Sequence, residues 1–218
     1  MSSVNQRKRL GYQKMFKTIY DKIYGVQKST REYYVLAHRV YEWLLVHDPN
    51  YTKDYNYETV LEAIQTIFEF ILGLLDMFEA PPSLLRTVIY YSEKYVSKVG
   101  IIHNEIFNLI LMSTIVSLKF WPENIYVENI IFADIFEIPN KDINIMERNF
   151  LTGVNYHLNI KEEDVNSFLS SIDYESKSLT KKLTKITTSS YPNPTRHLNA
   201  LFHFLFQCYF LKTVTFVY

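Results

Sequence analysis

Residues 106–121, IFNLILMSTIVSLKFW, are apolar almost all the way round a helix, interrupted mainly by Asn108, Ser113, Thr114 and Ser117. A helix without a polar face belongs either in a bilayer or at the centre of a helical domain. The 16 residues fall short of the roughly 20 that a membrane crossing needs. The segment is therefore expected to be a buried axis with other helices packed around it. It stops at Trp121-Pro122, where proline cannot extend the hydrogen-bond ladder.

The flanking sequence supplies the sheath. Across Tyr57–Phe78, Val60, Leu61, Ile64, Ile67, Phe68, Ile71, Leu72, Leu74 and Leu75 form a broad apolar stripe opposite Glu62, Gln65 and Glu69. Pro81-Pro82 ends that helix. Pro82-Ser83 opens another that runs to about Val99, with Gly100 placed to cap it. Two shorter helices follow the axis, about Ile125–Phe136 and Asn140–Val154. The second carries Ile143, Met146, Phe150, Leu151 and Val154 on one face. Upstream, helical spacing is found in Lys14–Tyr24 and in Tyr33–Val46, the latter closed by a turn at His47-Asp48-Pro49-Asn50. Only 5 of 218 residues are glycine, which suits helices joined by short polar links.

The expected architecture is all-α. A flexible basic arm (1–11) and N-terminal helices (12–56) precede five helices around the central buried one (57–160). A linker and an apolar C-terminal segment (161–218) follow. Ser176–Pro194 is rich in Ser, Thr and Lys and reads as the linker. Leu198–Tyr218 is apolar, but His203, Gln207 and Lys212 argue against a membrane anchor, so packing onto the helical domain is expected. The 58 residues after position 160 are too few to repeat the 104 of 57–160.

Charge and motif content exclude more than they suggest. Lys plus Arg and Asp plus Glu each number 23, so the chain is neutral and lacks the electrostatic footprint of a nucleic-acid binder. The charge is unevenly spread. Arg7, Lys8, Arg9, Lys14, Lys17 and Lys22 make the first 22 residues basic. Asp54, Glu58, Glu62, Glu69, Asp76 and Glu79 make 54–80 acidic. The single cysteine, Cys208, permits no internal disulfide, and no signal-type apolar run opens the chain, so a reducing compartment, nucleus or cytoplasm, is expected. Phosphate-binding loops, zinc motifs and serine nucleophile elbows are missing, and the six histidines show no ligand spacing. No catalytic residue, metal, cofactor or small-molecule substrate is expected.

The text of 57–160 resembles the cyclin box. The buried segment ends in Ser117-Leu118-Lys119-Phe120, similar to the family's A-[SA]-K-[FY]. Ile145-Met146-Glu147-Arg148-Asn149-Phe150-Leu151 resembles L-E-x-x-F-L, and Tyr156-His157-Leu158-Asn159-Ile160 resembles the closing [FW]-x-[LI]-x-V. Tyr91-Ser92-Glu93-Lys94 stands where many members have Y-[IL]-D-R. The wording is nearest the P/U-type, phosphate-pathway cyclins. It departs from them at Ser117-Leu118, where alanine is usual, and at Ile135-Phe136-Glu137, where small glycines are usual.

The resemblance implies a single cyclin box and a regulatory subunit that binds and activates a cyclin-dependent protein kinase. Lys119 and Glu147 would then hydrogen-bond the kinase's regulatory helix and adjacent backbone, with Phe120 adding apolar contact. The alternatives are a transcription-factor-like cyclin fold or a helical scaffold with no kinase partner.

Overall fold

The structure, a computed structural model, describes residues 3–23, 31–122 and 125–183. Met1–Ser176 forms one compact unit. Of the second, Lys177–Tyr218, only the helical stretch to Leu183 is described. The described residues form nine α-helices: α1 (Ser3–Ile23), α2 (Arg31–His47), α3 (Pro49–Asp54), α4 (Tyr57–Met77), α5 (Leu84–Val99), α6 (Ile106–Phe120), α7 (Asn129–Phe136), α8 (Asn140–Gly153) and α9 (Glu162–Leu183). A 3-10 turn, His103–Glu105, leads into α6, and no strand occurs among the described residues.

The axis is α6. Every residue from Leu109 through Leu118 is buried, and α4, α5 and α8 pack against it. Two of its polar residues are satisfied inside the protein, whereas Asn108 Oδ1 is buried without a partner. Ser113 Oγ donates to the Val88 carbonyl of α5 (2.6 Å) and Thr114 Oγ1 to the Ile110 carbonyl (2.7 Å). The Ser117 hydroxyl, wholly buried, has no hydrogen-bond partner. Outside this centre, α1 lies on α4 and α7, while α2 packs on α4 and α5. Phe16 of α1 approaches Gly73 so closely that a Cβ there would stand 3.3 Å from the ring.

The five expected helices of 57–160 are all present, with altered limits. Asn56 caps α4 by accepting from the Thr59 N–H (2.8 Å), and α7 starts only at Asn129. Three expectations are corrected. The segment 3–11 is not a free arm but the first turns of α1. The Asp48–Asn50 turn continues into a helix, α3, because Pro49 occupies a first-turn position where its missing N–H costs nothing. The linker foreseen from Ser176 is helical as far as Leu183. Leu198–Tyr218 and its expected packing lie outside the described residues.

Two ties hold the α2–α3 corner to the α5–α6 connection. Gly100 follows α5 with φ 82° and ψ −175°, a region open essentially to glycine, and a Cβ there would come within 3.3 Å of His47 Nδ1. Gly100→Ala is expected to cost about 1–3 kcal/mol, measured as a lower urea midpoint with an unchanged m-value. The second tie is Asp48, whose Oδ2 accepts from the His103 N–H (2.9 Å) and faces His103 Nδ1 (2.8 Å). Tyr51 stacks on that imidazole, centroids 4.1 Å apart.

Partial burial would raise the Asp48 carboxyl, but the hydrogen bonds from His103 and the Tyr51 backbone outweigh it and hold the group below the usual carboxylate range. A depressed folded-state value contributes stability above the unfolded pKa of about 3.9, and that contribution is lost as pH falls through the folded value. Asp48→Asn should therefore flatten the acid side of the stability profile below about pH 4. An acid limb identical to wild type would refute the assignment.

Candidate functional site

The end of α6 and the first turns of α7 and α8 bring together side chains that are distant in sequence. Lys119, in the last turn of α6, donates from Nζ to Glu147 Oε1 at 2.6 Å. The other carboxylate oxygen, Oε2, accepts from Asn129 Nδ2, also at 2.6 Å. Asn129 is the first residue of α7 and is buried, and the same Nδ2 donates to Asn144 Oδ1 (2.7 Å) one turn before Glu147 on α8. The side chains of Lys119 and Glu147 are 31% and 16% exposed, so the pair sits at the rim of the protein, with the carboxylate the deeper partner. Lysine at the C-terminal end of a helix also favours the unpaired carbonyls there, but its ammonium is committed to the carboxylate.

Large apolar side chains lie uncovered beside these polar groups. Phe120 (50% exposed) adjoins Lys119 in the chain, Ile130 adjoins Asn129, and Ile145 adjoins Asn144. Tyr126 is the most exposed of all at 80%, its hydroxyl hydrogen-bonded to Glu128 Oε1. A rim ion pair whose chain neighbours are accessible hydrophobic groups has the mixed composition of a protein-docking surface.

Tyr91 of α5 ties the residue that follows α6, Trp121, to Leu158 beyond α8. It is wholly buried. Its hydroxyl donates to the Leu158 carbonyl (2.6 Å) and accepts from Trp121 Nε1 (3.0 Å), and burial pushes the phenol up to about 12. The family model for cyclins matches residues 63–158, from inside α4 to this tie. The chain carries a cyclin domain. No curated protein and no solved structure gives a significant match.

Within the cyclin domain the sequence landmarks take different places. Lys119 and Glu147 are brought together, and Phe120 is exposed beside them. Glu93 and Lys94 do not serve each other. Glu93 accepts from Arg39 Nε (2.8 Å), Arg39 Nη2 (3.0 Å) and Trp43 Nε1 (2.7 Å) of α2, whereas the Lys94 ammonium lies 5.0 Å from the centre of the Tyr90 ring. Tyr156, in the closing motif, is 62% exposed with φ 55°, while Ile160 is buried. At the departure Ile135-Phe136-Glu137, Glu137 caps α7 in the left-handed region (φ 56°), where glycine would fit without strain. Asn129 and Asn144 were not singled out by sequence. Asn129 belongs to no compared motif; Asn144 closes the stretch Glu137–Asn144, which resembles the family's turn and new helix start, and its place one helical turn before Glu147 offered a signal. No helix among the described residues is long and apolar enough to cross a membrane.

Proposed function

We propose that this cyclin-domain protein is the non-catalytic regulatory subunit of a cyclin-dependent protein kinase. The observation that carries the reading is the Lys119–Glu147 pair held at the rim, with Phe120 exposed next to Lys119 in the chain and Ile130 and Ile145 exposed next to the asparagines that adjoin the pair. In that reading the pair hydrogen-bonds the kinase's regulatory helix and the backbone beside it, and Phe120 fills an apolar contact. The helix is thereby kept swung inward, so that its glutamate meets the catalytic lysine. Turning a kinase from about 1:99 to 99:1 in favour of the active state takes a preference of roughly 5.5 kcal/mol. An exposed ion pair supplies only about 0–1 kcal/mol, so the apolar groups must carry most of the preference and the ions set its register. In this reading the chain is of the P/U type that its motif wording resembles, and it acts in the nucleus or cytoplasm.

The test is recovery of the tagged full-length chain from its own cells, with mass spectrometry of bound proteins. Titration of the purified kinase follows. The expected outcome is a cyclin-dependent kinase in near-stoichiometric amount, whose peptide phosphorylation rises at least about 100-fold on adding the chain. Absence of any such kinase, or binding without activation, would favour a scaffold.

A further inference from the structure

We infer that Asn129 is a positioning residue for the docking pair. Its amide fixes the Glu147 carboxylate so that one oxygen is spent inside the protein and the other is presented, with Lys119, at the surface. The inference rests on the docking role proposed for Lys119 and Glu147.

The geometry carries the argument in three steps. Glu147 is attached to α8 by a flexible side chain, and a surface glutamate would ordinarily sample several rotamers. Here the carboxylate is mostly buried and both oxygens are occupied, Oε1 by Lys119 and Oε2 by Asn129. Two charge-assisted hydrogen bonds from two different helices leave it a single orientation. Next, Asn129 can act as that fixed point because it is itself immobile. It is buried to 9% exposure at the first position of α7, and its Nδ2 also grips Asn144 Oδ1. The single amide thus reaches α8 at two places one turn apart. Finally, the assignment of the amide atoms follows from charge. Rotating the group would turn Oδ1 towards a carboxylate and leave both acceptors without a donor. The Oδ1 that remains is buried without a partner. An apolar residue in its place would leave the Glu147 oxygen without its donor, so the amide is what fixes the carboxylate from the α7 side.

The experiment separates orientation from packing and from the kinase itself. Asn129→Leu keeps the branched outline of the side chain, in a bulkier form, and loses the donor, and Asn129→Ala loses both. The first readout needs no partner: hydrogen exchange of the Lys119 side-chain ammonium by 15N NMR, assigned from the signal lost in Lys119→Gln. Both Asn129 variants should exchange at least about fivefold faster than wild type while the melting temperature of the Leu variant is preserved. Exchange unchanged in both variants, or restored in Asn129→Leu, overturns the inference.

The second readout is affinity for the purified cyclin-dependent kinase. Each variant should bind about tenfold more weakly in the wild-type background and no more weakly in a Glu147→Gln background. Additive losses in that background also overturn the inference. If the ammonium responds as expected but the wild-type chain binds no such kinase, the docking role fails and the orienting role of Asn129 stands.

Discussion

Exchanging the two charges of the docking pair, in a Lys119→Glu/Glu147→Lys double variant, is expected to weaken kinase binding at least 100-fold and leave the fold intact. The internal contact is partly exposed and worth about 0–1 kcal/mol, and the swapped pair re-forms it with reversed polarity. A kinase surface complementary to the original arrangement instead meets like charges at both points, at a cost of several kcal/mol. A loss of 100-fold corresponds to about 2.7 kcal/mol, within that cost. Titration calorimetry with the purified kinase, alongside thermal unfolding of the free chain, reads both quantities. Affinity kept by the swapped protein would make the pair a strut between α6 and α8 and remove it from the interface.

The largest effect on stability is expected from Glu93→Ala, at about 2–4 kcal/mol by urea unfolding. The Glu93 side chain is 19% exposed and accepts three hydrogen bonds from α2. Its removal leaves the Trp43 N–H, on a residue only 4% exposed, with no acceptor at that position, and strips the bidentate partner from Arg39. Severing one side of a buried pair typically costs 3–5 kcal/mol, less here because Arg39 keeps Glu42 at 2.8 Å and both side chains touch solvent. Removing the opposite side as well, in Arg39→Met/Glu93→Leu, should recover a good part of the loss, since no guanidinium is then left without its partner. A Glu93→Ala loss below about 0.5 kcal/mol would show that solvent satisfies the network.

The part of the molecule that sequence exposes is the part governed by periodicity. The axis 106–120 and the α4 stripe repeat an apolar signal at helical spacing, and both appear with nearly the expected limits. Gly100, as the cap of α5, was legible because only glycine takes its backbone angles cheaply. Elements whose helicity depends on tertiary support were harder to read. The first turns of α1 are polar, α3 is six residues long with none buried, and α9 runs on through Ser and Lys.

The candidate site divides in the same way. Lys119 and Glu147 could be found because they stand inside wording shared with a family. Asn129 is a single polar residue whose meaning comes from a carboxylate 18 positions away, and the Arg39–Glu93 contact spans 54. Pairings of that range leave no local trace. Glu137 shows the reverse case, a departure visible in sequence whose physical content, a left-handed backbone at a non-glycine residue, only the fold supplies.

Tyr91 has a consequence for how such a chain can vary. One phenol, reaching positions 30 and 67 residues away, anchors both ends of the stretch that bears Asn129 and Glu147 and begins just after Lys119 and Phe120. Insertions or deletions in its connecting loops are therefore confined between two fixed points.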